Sequence, residues 1–154
     1  MCSPAAMAPD ASIPPVDGYR LVHLQDVQFR DIDGLGHVNN AIYLNYLENA
    51  KIAYFREVIG DVDLDRLGIV ADVKIAFRSP SFLGETLQMG VKVSRVGTKS
   101  LEFSFAVHGP DDRLVAEGTS VHVTFDYDRR EPIPIPDDWR ERIEAYEAES
   151  LATT

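Results

Sequence analysis

The chain has 154 residues, 45% of them hydrophobic and 26% charged, which is about one domain's worth of sequence. That hydrophobic content is too high for a disordered chain, no apolar run approaches the ~20 residues of a membrane-spanning helix, and the only cysteine, Cys2, can form neither an internal disulfide nor a cysteine metal cluster. Fifteen Lys and Arg against 25 Asp and Glu give a net charge of −10, with two acids and no base in residues 1–18 and six acids and two bases in residues 137–154. The body between them is only mildly acidic and lacks the electrostatic footprint of a nucleic-acid binder.

Residues 1–18 carry four prolines and no Lys or Arg. They read as a flexible tail. A secretory signal needs a basic start and a continuous apolar stretch, so the expected location is the cytoplasm. Residues 19–29 alternate as a strand, with Leu21, His23, Gln25, Val27 and Phe29 on one side. Residues 30–40 then hold two glycines and an Asn pair, which end the strand and prepare a new element. Residues 41–59 read as a helix: Tyr43, Tyr46, Leu47, Ala50, Tyr54 and Val58 recur at spacings of three and four. Asn39 or Asn40 suits its N-cap, and Gly60 its stop. The apolar face is wide enough for a buried helix.

After an acidic connector (Asp61, Asp63, Asp65), residues 69–77, 86–96, 100–108 and 114–127 read as strands separated by Gly, Pro and Asp turns. Pro132, Pro134 and Pro136 close that region, and residues 138–149 suit a short acidic surface helix. One long helix must bury its face, and the sheet is the only large surface available. The expected class is α+β, with a curved antiparallel sheet wrapped around the helix. The expected organisation is a tail over 1–18, one domain over 19–136, and an acidic helix and tail over 137–154.

Several motifs fail on inspection. Asp31-x-Asp33 opens like a calcium loop, but Leu35 and Ile42 occupy positions that need oxygen ligands. Gly34-x-Gly36 opens like a dinucleotide fingerprint, but Asn39 replaces the third glycine. The histidines at 23, 37, 108 and 122 include no His-x-x-x-His pair for zinc. What survives is an acid, Asp33, in a glycine loop just ahead of a buried helix, followed by His37, Asn39 and Asn40. A helix start offers unpaired N–H groups and a positive dipole end. A carboxylate beside it can attack a carbonyl or activate water while those N–H groups hold the oxyanion. The same residues also suit a plain turn and cap.

Residues 29–40 (FRDIDGLGHVNN), followed by Tyr43-Leu44 and Tyr46-Leu47-Glu48, resemble the signature of hotdog-fold thioesterases of the 4-hydroxybenzoyl-CoA thioesterase type. The resemblance continues through Phe77-Arg78-Ser79-Pro80, the Gly84-Glu85 turn, Val96-Gly97-Thr98-Lys99-Ser100-Leu101 and Val115-Ala116-Glu117-Gly118, to Pro134-Ile135-Pro136. It covers about residues 19–145. It implies a hotdog fold and hydrolysis of an acyl-CoA thioester with no metal or redox cofactor. In it Asp33 matches the catalytic nucleophile or base, and the backbone N–H of Asn40 matches the group that polarises the carbonyl. His37 and Asn39 match common members of the loop, whose chemical role varies within the superfamily; His37 stands where the 4-hydroxybenzoyl enzyme has an apolar residue. Glu48 matches a helix glutamate that is catalytic in another hotdog branch, and a structural role is expected for it here. For coenzyme A, Arg95, Lys99 and Ser100 are the nearest match, with Arg78 and Lys74 next. Tyr43, Leu47, Val73, Ile75 and Phe77 suit an acyl pocket or a core equally. The resemblance also implies a homodimer or homotetramer. The alternatives are an acyl-ACP thioesterase, which needs a basic docking patch, and a non-catalytic protein that binds acyl-CoA.

Overall fold

The long apolar segment folds as helix α1, Ile42–Val58, in the computed structural model, which describes residues 16–60 and 68–151. Its buried face is Tyr43, Tyr46, Leu47, Ala50, Lys51, Tyr54, Phe55 and Val58. Except for Lys51, this is the predicted stripe widened by Phe55. Each fully buried large apolar side chain contributes roughly 1.5–3 kcal/mol, so this face commits the helix to the sheet. Gly60 ends it: at φ +93° it takes the left-handed conformation that costs glycine nothing, and its N–H donates to Phe55 O at 3.0 Å.

Five strands form one antiparallel sheet: β1 Leu21–Asp26, β2 Ile69–Phe77, β3 Thr86–Val96, β4 Ser100–His108 and β5 Leu114–Val123. Their order across the sheet is β1-β3-β4-β5-β2. Strand β2 is an edge and pairs only with β5, from Ile69 opposite Val123 to Phe77 opposite Ala116. Gly118 permits this pairing: a Cβ there would lie 1.8 Å from Lys74 O. The inward residues of β3, β4 and β5, among them Val91, Val93, Leu101, Phe103 and Phe105, meet α1 in one core. Tyr54 packs edge-on against Phe103, with ring centres 5.5 Å apart. The antiparallel sheet and its central helix are the expected α+β hotdog arrangement.

Four boundaries differ from expectation. The first strand stops at Asp26 because Gln28 turns the chain, and Phe29 is left exposed rather than facing inward. The last long strand stops at Val123. Thr124 then donates its N–H to Lys99 O and accepts one from Ile133, and residues 125–127 leave the sheet; the short strands β6 (Phe125–Asp126) and β7 (Glu131–Pro132) form a separate pair. Helix α2, Asp137–Leu151, is longer than predicted. It lies on the sheet rather than at the surface, burying Trp139, Ile143 and Glu147, with Glu147 accepting from the Tyr54 hydroxyl at 2.8 Å. Val16, assigned to the tail, is buried and bridged to Tyr19. The rest of that tail (1–15), the acidic connector (61–67) and residues 152–154 lie outside the described residues. Among the described residues, no helix is long and apolar enough to cross a membrane.

Candidate active site

The segment between β1 and α1 is tied down at every turn. Gln28 caps a single 3-10 turn, Phe29–Asp31, by donating its N–H to Asp31 Oδ2 at 3.0 Å. The same oxygen accepts from the Tyr46 hydroxyl of α1 at 2.6 Å. Asp31 is only 8% exposed, and a short hydrogen bond to a carboxylate is among the stronger ones a protein makes. Burial, with this bond and the adjacent charge of Asp31, pushes the Tyr46 pKa far up, so its hydroxyl remains a donor. Asp31 O accepts from Asn39 N–H at 2.9 Å, and Val38 N–H donates to Ser81 O at 2.9 Å. The loop is thus pinned to α1 on one side and to the β2–β3 connection on the other.

Asp33 sits between these anchors. Ile32 and Val38 form an isolated antiparallel bridge, Asp33 N–H donates to His37 O at 3.1 Å, and Gly36 N–H donates to Asp33 O at 3.0 Å. Gly36 is glycine because its φ is +85°. Asp33 is half-buried, and its Oδ1 accepts from Leu35 N–H at 2.9 Å. Its Oδ2 meets no hydrogen-bond donor among the described residues. One oxygen is fixed and the other is open, which suits a positioned nucleophile or base.

The two asparagines divide their work. Asn39 makes the turn into α1: its Oδ1 accepts from Ala41 N–H at 2.9 Å, and its carbonyl accepts from Ile42 N–H at 2.9 Å. Asn40 N–H has no acceptor among the described residues. It therefore joins the positive end of the α1 dipole as an available donor for an oxyanion. His37 is half-buried, with Nδ1 3.2 Å from Val38 O, and makes no bond to Asp33 among the described residues.

The remaining predicted residues separate into three groups. Tyr43 and Leu47 are core residues: Tyr43 donates its hydroxyl to Ser81 Oγ at 2.9 Å, and Leu47 is 1% exposed. Phe77 is 45% exposed, stands 5.6 Å from the Tyr43 ring, and offers an open apolar wall near the helix start. Arg78 follows it, paired with Glu117 at 3.1 Å. Arg95, Lys99 and Ser100 lie elsewhere. Strand β3 starts beside Asp26 and reaches Arg95 only one residue before its end, roughly 30 Å away at the usual rise of a strand, with Lys99 and Ser100 beyond it. Within one chain they stand at the opposite end of the sheet from Asp33, so the structure does not bring them together there. Glu48 pairs with Lys51 at 2.8 Å, a structural contact.

Sequence reasoning missed the Asp31–Tyr46 bond and Ser81. Asp31, two residues from Asp33, enters the sequence reading only as a failed calcium ligand and as part of the 29–40 signature. The sole sign of its role is an acid between Arg30 and Ile32, close to Phe29, ahead of a tyrosine-rich helix.

A family model described as "Thioesterase-like superfamily" matches residues 27–143. No curated protein matches the chain. A thioesterase from Thermus thermophilus, solved with coenzyme A and zinc, is 34% identical, with 86% of this chain and 98% of that one covered and a TM-score of 0.78. The PA5185 protein of Pseudomonas aeruginosa is 26% identical, with 83% and 92% covered and a TM-score of 0.76. A DHNA-CoA thioesterase from Staphylococcus aureus is 16% identical, with 86% and 94% covered and a TM-score of 0.78, a likeness of fold alone.

Proposed function

We infer that this chain, which belongs to the thioesterase-like superfamily and is a thioester hydrolase, cleaves an acyl-CoA to a free carboxylic acid and CoA at Asp33. The observation that carries this reading is the half-buried Asp33 carboxylate, with one oxygen held by Leu35 N–H and the other without a donor among the described residues, just ahead of a helix start whose Asn40 N–H likewise has no acceptor among them. The coenzyme A in the Thermus relative supports the choice of thiol.

Asn40 N–H donates a hydrogen bond to the thioester carbonyl oxygen, which gains negative charge as its carbon becomes tetrahedral. Asp33 Oδ2 then acts in one of two ways. As nucleophile, it bonds to the carbonyl carbon and expels CoA thiolate; water then cleaves the mixed anhydride and restores the carboxylate. As base, it takes a proton from water, whose hydroxide attacks the same carbon, and the proton leaves with the thiol. His37 has the place to orient the loop through Val38 O but makes no bond that assigns it a step.

The bases for CoA phosphates come from a second copy. Strand β2 has a free edge with Ile69, Val70 and Phe77 exposed, and an edge of this kind invites pairing. A two-fold axis makes the β2–β2 pairing antiparallel. The Phe77 end, near Asp33, then lies beside the partner's Ile69 end. That end is level with Val123 and Ser100, so the partner's Arg95, Lys99 and Ser100 approach this protomer's site.

The test is Asp33→Asn, which keeps the Oδ1 acceptor for Leu35 and so the loop. Thiol release from a panel of acyl-CoAs should fall at least ~100-fold while the thermal melt is retained. Wild-type turnover in the folded variant refutes the assignment, and ligand-induced stabilisation without thiol release in the native protein indicates a binding protein instead. A single turnover in 18O-water adds a test of the first role: label in the Asp33 carboxylate identifies it as the nucleophile, because only a mixed anhydride opened at the Asp33 carbon exchanges that oxygen, whereas label in the product acid arises by either route.

A further inference from the structure

On the β2 side of α1 a cavity of about 200 Å3 lies between helix and sheet, lined by Glu48, Lys51, Ile52, Phe55, Val70 and His122 among others. Its inner wall is polar where a core is normally apolar. Lys51 is 2% exposed and sits on the buried face of α1 between Leu47 and Tyr54. Its Nζ has Glu48 Oε1 at 2.8 Å and the centre of the Phe103 ring at 5.8 Å, but no acceptor aligned for a hydrogen bond among the described residues. His122, 5% exposed on β5, has neither ring nitrogen partnered among the described residues. The rings of Phe55 and Phe103 flank it.

Burial, and then the charge of Lys51, lower the His122 pKa to about 4. Its ring is therefore neutral near pH 7, with one donor nitrogen and one acceptor nitrogen. Buried polar groups in proteins are nearly all bonded, and leaving these open opposes folding. A cavity beside them supplies room for the missing partner.

The cavity is also within reach of the helix start. Ten residues of α1 separate Ala41 from Lys51, about 15 Å, and a helical side chain leans back toward the N-terminus. Along that path Leu44, Phe77 and Val70 show exposed apolar surface, with Val73 and Ile75 half-buried between them. We propose that this cavity is the far end of the acyl site and takes a hydroxyl or carbonyl oxygen carried by an aliphatic acyl chain, with Lys51 and His122 donating to it. The proposal rests on the acyl-CoA reading above. A carboxylate is a poor occupant, because Glu48 already balances Lys51 and would repel a second anion.

The test is kinetic, with one set of medium-chain acyl-CoAs: unsubstituted, hydroxylated or oxo-substituted on the outer carbons, and carboxyl-terminated. In the native protein the oxygenated chains should exceed the unsubstituted one by about threefold to tenfold in kcat/KM, one net hydrogen bond's worth, and the carboxyl-terminated chain should rank last. Lys51→Met and His122→Phe should bring the oxygenated-to-plain ratio down to one or below. A native protein that handles oxygenated chains no better than plain ones, or that favours the carboxyl-terminated chain, overturns the proposal whether or not the variants fold. If no acyl-CoA is hydrolysed, the hydrolase reading fails by itself. Calorimetric binding of the same panel then decides on the cavity, and equal affinity for plain and oxygenated chains overturns it.

Discussion

Replacing Tyr46 by Phe isolates the bond that holds the Asp33 loop to its helix. The ring stays, packed edge-on against Tyr43 with centres 5.8 Å apart, so no cavity opens. Only the hydroxyl that donates to Asp31 Oδ2 at 2.6 Å is lost. Asp31 keeps the Gln28 N–H at 3.0 Å, but its buried carboxylate loses its shorter bond. Removing a partner from a buried ionised group costs about 2 kcal/mol, which for a chain of this length lowers the melting temperature by about 6 °C. Urea titrations at fixed protein concentration measure the first quantity, and scanning calorimetry measures the second. Because the loop carries Asp33, turnover should also fall, on the order of tenfold, with a much smaller change in KM. Asp31→Asn, which retains the shape and weakens the same bond, should reproduce the pattern in milder form. A Tyr46→Phe protein within ~0.5 kcal/mol of wild type, or one with unchanged turnover, refutes the view that this bond organises the site.

Two further outcomes follow from the geometry. The His122 ring titrates at about 4 in the fold and near ~6.5 when unfolded, so acidification protonates the unfolded chain first. The fold should lose stability from pH 6.5 downward, by on the order of 3 kcal/mol once pH reaches 4, with no contribution above 6.5; an identical pH slope in His122→Phe urea titrations speaks against it. Co-expressed variants test the proposed sharing of the site between two copies. Arg95→Glu/Lys99→Glu chains should have a raised KM and Asp33→Asn chains should be inactive, yet co-expression should regenerate one unimpaired site per hybrid, with activity above the mixed parents. No recovery in verified hybrids means the site does not cross between chains.

The strands were legible in the sequence where period-two alternation ran between glycine or proline breaks: β2, β3 and β4 fall on the predicted boundaries. Helix α1 was legible because its stripe is long and unbroken. Strand β1 was overextended because Val27 and Phe29 continue the alternation, whereas the side chain of Asp31 reaches back to Gln28 and curls the backbone. Strand β5 is shorter than predicted because Phe125 and Tyr127 look like sheet residues, although Phe125 pairs with Pro132 outside the main sheet and packs its ring edge-on against that of Tyr127, 5.4 Å away. The depth of α2 was hidden by its charge: Trp139 and Ile143 signal burial, but the burial of Glu147 depends on Tyr54, 93 positions away. The Asp33 loop was readable because its chemistry is local. The distance from Asp33 to Lys99 was not, because no pattern in one chain says which end of a strand faces which loop.

The pairing of β2 with β5 sets the order in which the chain matures. β2 is synthesised before β3, β4 and β5, but its only neighbour within the chain is the last of them. About 46 residues separate the ends of the two strands, several seconds of translation at ~5–20 residues per second. During that interval the growing sheet has no place for residues 69–77, and a stretch such as Ile-Val-Ala-Asp-Val-Lys-Ile-Ala-Phe waits as a sticky, unpaired ribbon. Lys74 and Asp72 within it act as gatekeepers against premature association. A nascent chain stalled before Gly118 emerges should therefore recruit chaperones, whereas one stalled after Val123 has cleared the ribosome should not.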